Sequence, residues 1–106
     1  MTQAEHDRAV LGTRTLDAVD ASGQPRLLKI EIMIPEQVAA EEWVCRLNIT
    51  HDGRVSSTTL PIRGGDAIQA LVLGLKVIAG TLEGYQRLHG WKLSWHGDSD
   101  LGFGEL

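Results

Sequence analysis

Between Arg26 and Pro35 the chain alternates, with Leu28, Ile30, Ile32 and Ile34 on one side of an extended backbone and Leu27, Lys29, Glu31 and Met33 on the other. A period of two is what a half-buried strand demands, and the isoleucines mark its core face. Glu42 to Thr50 repeats the pattern: Trp43, Cys45, Leu47 and Ile49 share one face, while Val44, Arg46, Asn48 and Thr50 share the other. Turn signals flank the two runs, Ser22-Gly23-Gln24-Pro25 ahead of the first and His51-Asp52-Gly53 behind the second. Each strand should therefore have a hairpin neighbour. Val10 to Val19 and Arg54 to Ile62 supply them, both rich in β-branched residues, with Pro61 keeping the end of the latter off any central ladder. The pattern predicts a four-stranded antiparallel meander.

From Ala67 to His89 the period changes. Ile68, Leu71, Val72, Leu75, Ile78, Ala79 and Leu82 recur at the three-and-four spacing of one helical face. Asp66 is a suitable N-cap, Gln69 three residues on completes a capping box, and Gly90 ends the helix. A helix of this length spans about 34 Å, more than most strands, so it must cross the sheet diagonally or overhang it. Trp91-Lys92-Leu93-Ser94-Trp95 then alternates once more as a short fifth strand, expected beside the first, with both indoles and Leu93 on one face. The tail from His96 to Leu106 is rich in Gly and Asp and carries Leu101 and Phe103 as anchors. No repeat and no linker divides the chain. The expectation is a single α+β domain over residues 1–106: the meander packed on one long helix, then the fifth strand.

The helical wheel leaves a third stripe between the apolar face and the wet side marked by Gln69, Lys76, Glu83 and Arg87. It comprises Ala70, Gly74, Val77, Thr81, Gly84 and Leu88, mostly small residues that would let another backbone come close. Gly within a helix costs about 1 kcal/mol relative to Ala. Gly74, Gly80 and Gly84 thus suggest a compensating contact, either with a partner or with the protein's own sheet.

Composition narrows the function classes. The 106 residues are 42% hydrophobic and 23% charged, as for an ordinary globular domain. A net charge of −4 without any cationic cluster argues against nucleic acid, whose phosphates need clustered cations. No run of about 18 apolar residues and no basic-then-apolar leader stands in the sequence. The expectation is a cytoplasmic protein with no membrane contact. Cys45 is the only cysteine, so neither an intrachain disulfide nor a Cys-rich zinc site can form.

The helix opening Gly65-Asp66-Ala67-Ile68-Gln69-Ala70-Leu71, the strand Trp91-Lys92-Leu93-Ser94-Trp95 and the late Leu101-Gly102-Phe103 together resemble a family of short bacterial proteins catalogued as a domain of unknown function. The likeness covers about Arg14 to Phe103, and its most specific pieces are Asp-Ala-x-Gln-Ala-Leu and Leu-Gly-Phe. It implies a bacterial origin and carries over no activity, ligand or catalytic residue.

Chemistry is sparse. Cys45 shares a face with Trp43, Leu47 and Ile49, and apolar surroundings raise a thiol pKa, so it reads as an inert core residue rather than a nucleophile. His6, His51, His89 and His96 form no ligand pair at helical or strand spacing; a metal site would need His89 and His96 to meet Asp98 or Asp100 around the last strand. Asp98-Ser99-Asp100 resembles the opening of a calcium loop, but Phe103 stands where the required Gly would be. Arg63-Gly64-Gly65 precedes a helix N-terminus, yet the Asp66 carboxylate would occupy those amides and repel a phosphate. Glu41 and Glu42 point to opposite faces of a strand and cannot share a substrate.

No convergent catalytic set is legible, which points away from an enzyme and away from any cofactor. The favoured expectation is a non-enzymatic module that binds another protein or a second copy of itself through the small-residue stripe. An immunity-type inhibitor of a bacterial toxin is a specific form, since an acidic protein can complement a basic enzyme. The alternative is a small-molecule or metal-binding protein using a groove beside the last strand, with Trp91, Trp95, His89, His96, Asp98 and Asp100.

Overall fold

A computed structural model describes residues 9–51 and 58–103. It is α+β: one antiparallel sheet and one long helix. The strands are β1 (Val10–Val19), β2 (Pro25–Met33), β3 (Glu36–Ala39), β4 (Glu42–His51), β5 (Thr58–Gly64) and β6 (Lys92–Ser94), with α1 (Ala67–His89) between the last two.

β1 and β2 form a hairpin from Val19↔Pro25 to Val10↔Met33, with a register shift between Val10 and Gly12. Its turn is organised by Asp20. One carboxylate oxygen accepts from the Ser22 and Gln24 amides, each at 2.9 Å, and from Ser22 Oγ at 2.7 Å, while the other accepts from Arg26 Nε at 3.0 Å. These donors hold the Asp20 carboxyl well below its ordinary pKa.

The expected strand over residues 26–35 ends at Met33, and a further strand, β3, follows that the sequence did not announce. β2 pairs with β4 from Leu28↔His51 to Ile32↔Leu47, and β3 pairs with the start of β4 at Glu36↔Val44 and Gln37↔Trp43. β5 runs along β4 from Trp43↔Gly64 to Ile49↔Thr58. Because β5 takes one edge of β4 for that whole length, β2 and β3 share the other: they are one long hairpin arm interrupted around Pro35. Proline breaks the ladder locally by lacking an N–H, and β3 is exposed at all four positions, so no apolar alternation marks it. The expected turn at Asp52-Gly53 and the start of the expected strand at Arg54 lie outside the described residues. β6 pairs with β1 at Ala18↔Leu93, beside the first strand as expected.

α1 is capped as its sequence reads. Asp66 Oδ1 accepts from Gln69 N at 2.7 Å, and the Gln69 side chain accepts from Gly65 N at 2.5 Å. Gly90 closes the helix at φ 69°. An 18-residue window of α1 reaches a mean hydropathy of 1.4, enough by length and composition for a membrane span; here the helix is capped at both ends and packed on the sheet. Its buried row is Ala70, Gly74, Ile78 and Leu82. Ile68, expected on the core face, is 75% exposed.

This rotation has a steric cause. Only two residues separate β5 from α1, and a Cβ at Gly64 would stand 2.5 Å from Ala70 N, so the first helical turn lies directly on the strand's end. Small residues must face that contact. A Cβ at Gly74 would likewise come within 3.4 Å of a Leu47 methyl and 3.5 Å of Cys45 Sγ. The core gathers Leu16, Ala18, Leu28, Ile30, Cys45, Leu47, Ile49, Ile78, Leu82 and Leu93 around that seam. Burial raises the Cys45 thiol pKa.

Candidate functional site

The inner face of β1 carries Arg14, Leu16 and Ala18 in alternation. Leu16 and Ala18 are buried, and Arg14 stands where the core gives out. What completes its surroundings is the tail after β6. Trp95 and Asp98 exchange backbone hydrogen bonds at 2.9 and 3.0 Å across His96 and Gly97, whose φ angles of 52° and 79° make a tight turn of the hairpin kind. Asp98 Oδ1 then accepts from Asp100 N, and Asp100 Oδ1 from Gly102 N, each at 2.9 Å. Two such side-chain turns in succession steer the chain back across the sheet.

There the tail clasps Arg14. Nη1 donates to the Leu101 carbonyl at 3.0 Å, and the guanidinium carbon lies 3.8 Å from the Trp95 ring centroid and 4.7 Å from that of Phe103. Cation–π contacts of this kind contribute about 0.5 to 2 kcal/mol each, more when desolvated. Gly102, at φ 80°, has no room for a side chain: a Cβ would stand 2.5 Å from Trp95 Cζ3 and 2.7 Å from Arg14 Nη1.

Beside the clasp is an open cavity of about 210 Å³, with Arg14 and Gly12 of β1, Ile30 and Ile32 of β2, Leu75 of α1 and Phe103 of the tail in its lining. Arg14 is its one charged lining residue. Elsewhere Arg26 pairs with Asp20, Arg46 with Glu36, Arg63 with Glu42 and Arg87 with Glu83. Among the described arginines, Arg14 alone is held by rings and a carbonyl instead of a carboxylate.

The residues singled out from sequence distribute differently. Of the small-residue stripe, Ala70 and Gly74 lie under the sheet, Val77, Thr81 and Gly84 are half-buried, and Leu88 is 77% exposed. Thr81 Oγ1 donates back to the Val77 carbonyl at 2.8 Å. The stripe offers no continuous open face, because the tight β5–α1 connection turns its first half inward.

The groove residues split in two. Trp95, His96, Asp98 and Asp100 surround one shallow depression. Trp91, before β6, packs edge-on to His51 at 5.8 Å and beside Tyr85, which also meets His89. The Asp98 and Asp100 carboxylates are engaged in building the tail, and among the described residues no group of three His, Cys, Asp or Glu side chains is placed to hold a metal.

Sequence reasoning missed Arg14. Its signal was a lone cation on the apolar side of β1's alternation, and its partner signal was Leu101-Gly102-Phe103, which read only as a plug.

A family model described as a domain of unknown function (DUF6968) matches residues 12–105, a stretch that includes both Arg14 and the tail that clasps it. No curated protein matches the chain, and no solved structure does.

Proposed function

Because the chain belongs to the DUF6968 family, described only as a domain of unknown function, no activity comes to it from relatives, and we propose that it is a binding module whose recognition site is the Arg14 cleft. One observation carries this reading. A guanidinium is lodged between two aromatic rings, without a carboxylate partner among the described residues, at the wall of an apolar cavity. Ligand sites are commonly apolar concavities with a few placed polar groups. A structural arginine needs no cavity beside it, whereas a binding arginine does.

With Ala70 and Gly74 covered, docking through the small-residue stripe loses its support. The immunity-type version is left with the net charge of −4 alone.

The test is a fragment set of mixed charge, read by methyl NMR on labelled protein. Fragments that bind should move the Ile30, Ile32 and Leu75 methyls together while leaving Leu88 unmoved. Shifts scattered over the surface, or centred on α1's exposed side, would remove the cleft as the recognition site.

A further inference from the structure

Resting on that reading of the cleft, we propose that its ligand is a monocarboxylate with a short apolar body. The argument starts from the geometry of arginine. Its planar fork presents five N–H donors, and here Nη1 is directed at the Leu101 carbonyl while Trp95 and Phe103 lie near the guanidinium. Stacked rings leave a guanidinium's remaining donors to its edge, and an edge with paired donors matches the two oxygens of a carboxylate. A phosphate is served less well: it carries more charge and more acceptor oxygens, and no second cation lines the cavity.

The other walls choose the body. Ile30, Ile32 and Leu75 give no hydrogen bonds, so whatever follows the carboxylate must be apolar. A volume of about 210 Å³ equals the liquid share of roughly seven waters, which suits a body of about that many heavy atoms. Two sources provide this chemistry, a free short-chain acid and the C-terminal residue of a peptide, and the same experiment separates them.

Full-length protein is titrated with hexanoate, hexanol, inorganic phosphate, N-acetyl-leucine and N-acetyl-leucinamide, with the cleft methyls as readout. Hexanoate should bind at least tenfold more tightly than hexanol, and phosphate should leave the methyls unmoved. N-acetyl-leucine binding more tightly than both hexanoate and its amide identifies a chain terminus as the source; hexanoate binding with N-acetyl-leucine inert identifies a free acid. Arg14→Met should bring hexanoate down to the level of hexanol. As that change also loosens the tail, Ile32→Trp is the second variant: it fills the cavity from the opposite wall, keeps Arg14, and should abolish binding in a protein that still melts cooperatively.

Hexanol equalling hexanoate, or phosphate displacing it, overturns the carboxylate assignment while the cleft itself stands. Hexanoate shifts that avoid Ile30, Ile32 and Leu75, or that survive Ile32→Trp, overturn the cleft as well.

Discussion

Replacing Gly102 by alanine tests whether the tail is part of the fold or an ornament on it. A Cβ there would sit 2.5 Å from Trp95 Cζ3 and 2.7 Å from Arg14 Nη1, at a φ of 80°. The left-handed backbone alone costs an alanine about 1 to 2 kcal/mol, and overpacking adds about 1 to 3 kcal/mol. The protein need not bear that whole sum, because the tail can let go. Its docking is worth a gross of about 6 kcal/mol: about 1 for the Leu101 hydrogen bond, about 3 for two cation–π contacts, and about 2 for partial burial of Leu101 and Phe103. Ordering three residues costs about 4 kcal/mol, so about 2 kcal/mol remains as the ceiling on the loss.

Gly102→Ala should therefore lower the unfolding free energy by about 2 kcal/mol and the melting midpoint by about 10 °C. Deleting residues 101–106 should cost the same, since both release the tail. Urea unfolding followed by tryptophan fluorescence, to which Trp95 contributes, measures both. Adding Arg14→Met to the Gly102→Ala protein should cost little more, the shared contact being already gone. A Gly102→Ala protein within about 0.5 kcal/mol of the parent, or a truncated chain of parental stability, would refute the reasoning.

What was legible in the sequence followed one rule: a face half in water and half in the core writes itself as a period. Leu28 and Ile30, Cys45 with Leu47 and Ile49, and the helix ends at Asp66 and Gly90 were all read that way and lie where they were expected. β3 was not, because a strand exposed at every position has no period to show. The rotation of α1 was hidden for a different reason. Helical periodicity ranks residues by hydropathy and would bury Ile68, whereas the short β5–α1 connection ranks them by size and buries Ala70 and Gly74. Arg14 lay deeper still. Its meaning depends on residues more than eighty positions away, and no local pattern links a cation in the first strand to Trp95, Leu101 and Phe103.

Further expectations follow the same physics. Cys45, fully buried with its thiol pKa raised, should resist a thiol reagent in native protein and react fully in denaturant; rapid native labelling would mean that β4 opens readily. The depressed Asp20 carboxyl contributes stability that is complete above its ordinary value of 3.8 and fades as the pH falls toward its folded-state value. Asp20→Asn should hence cost more at pH 7 than at pH 2, and an equal cost at both would show that charge is not what the turn uses. At Gly80, where a Cβ would meet nothing within 4 Å, alanine should add about 0.5 to 1 kcal/mol of stability through helix propensity alone. Gly74 supplies the sharpest contrast: a Cβ there meets Leu47 at 3.4 Å and Cys45 Sγ at 3.5 Å, ordinary contact distances, so Gly74→Ala should hold or slightly raise stability. Gly74→Leu has nowhere to put its remaining carbons and should destabilise by about 1 to 3 kcal/mol; a leucine tolerated there without loss would mean that α1 does not lie on β4 at this point, and the seam that positions the whole core would have to be redrawn.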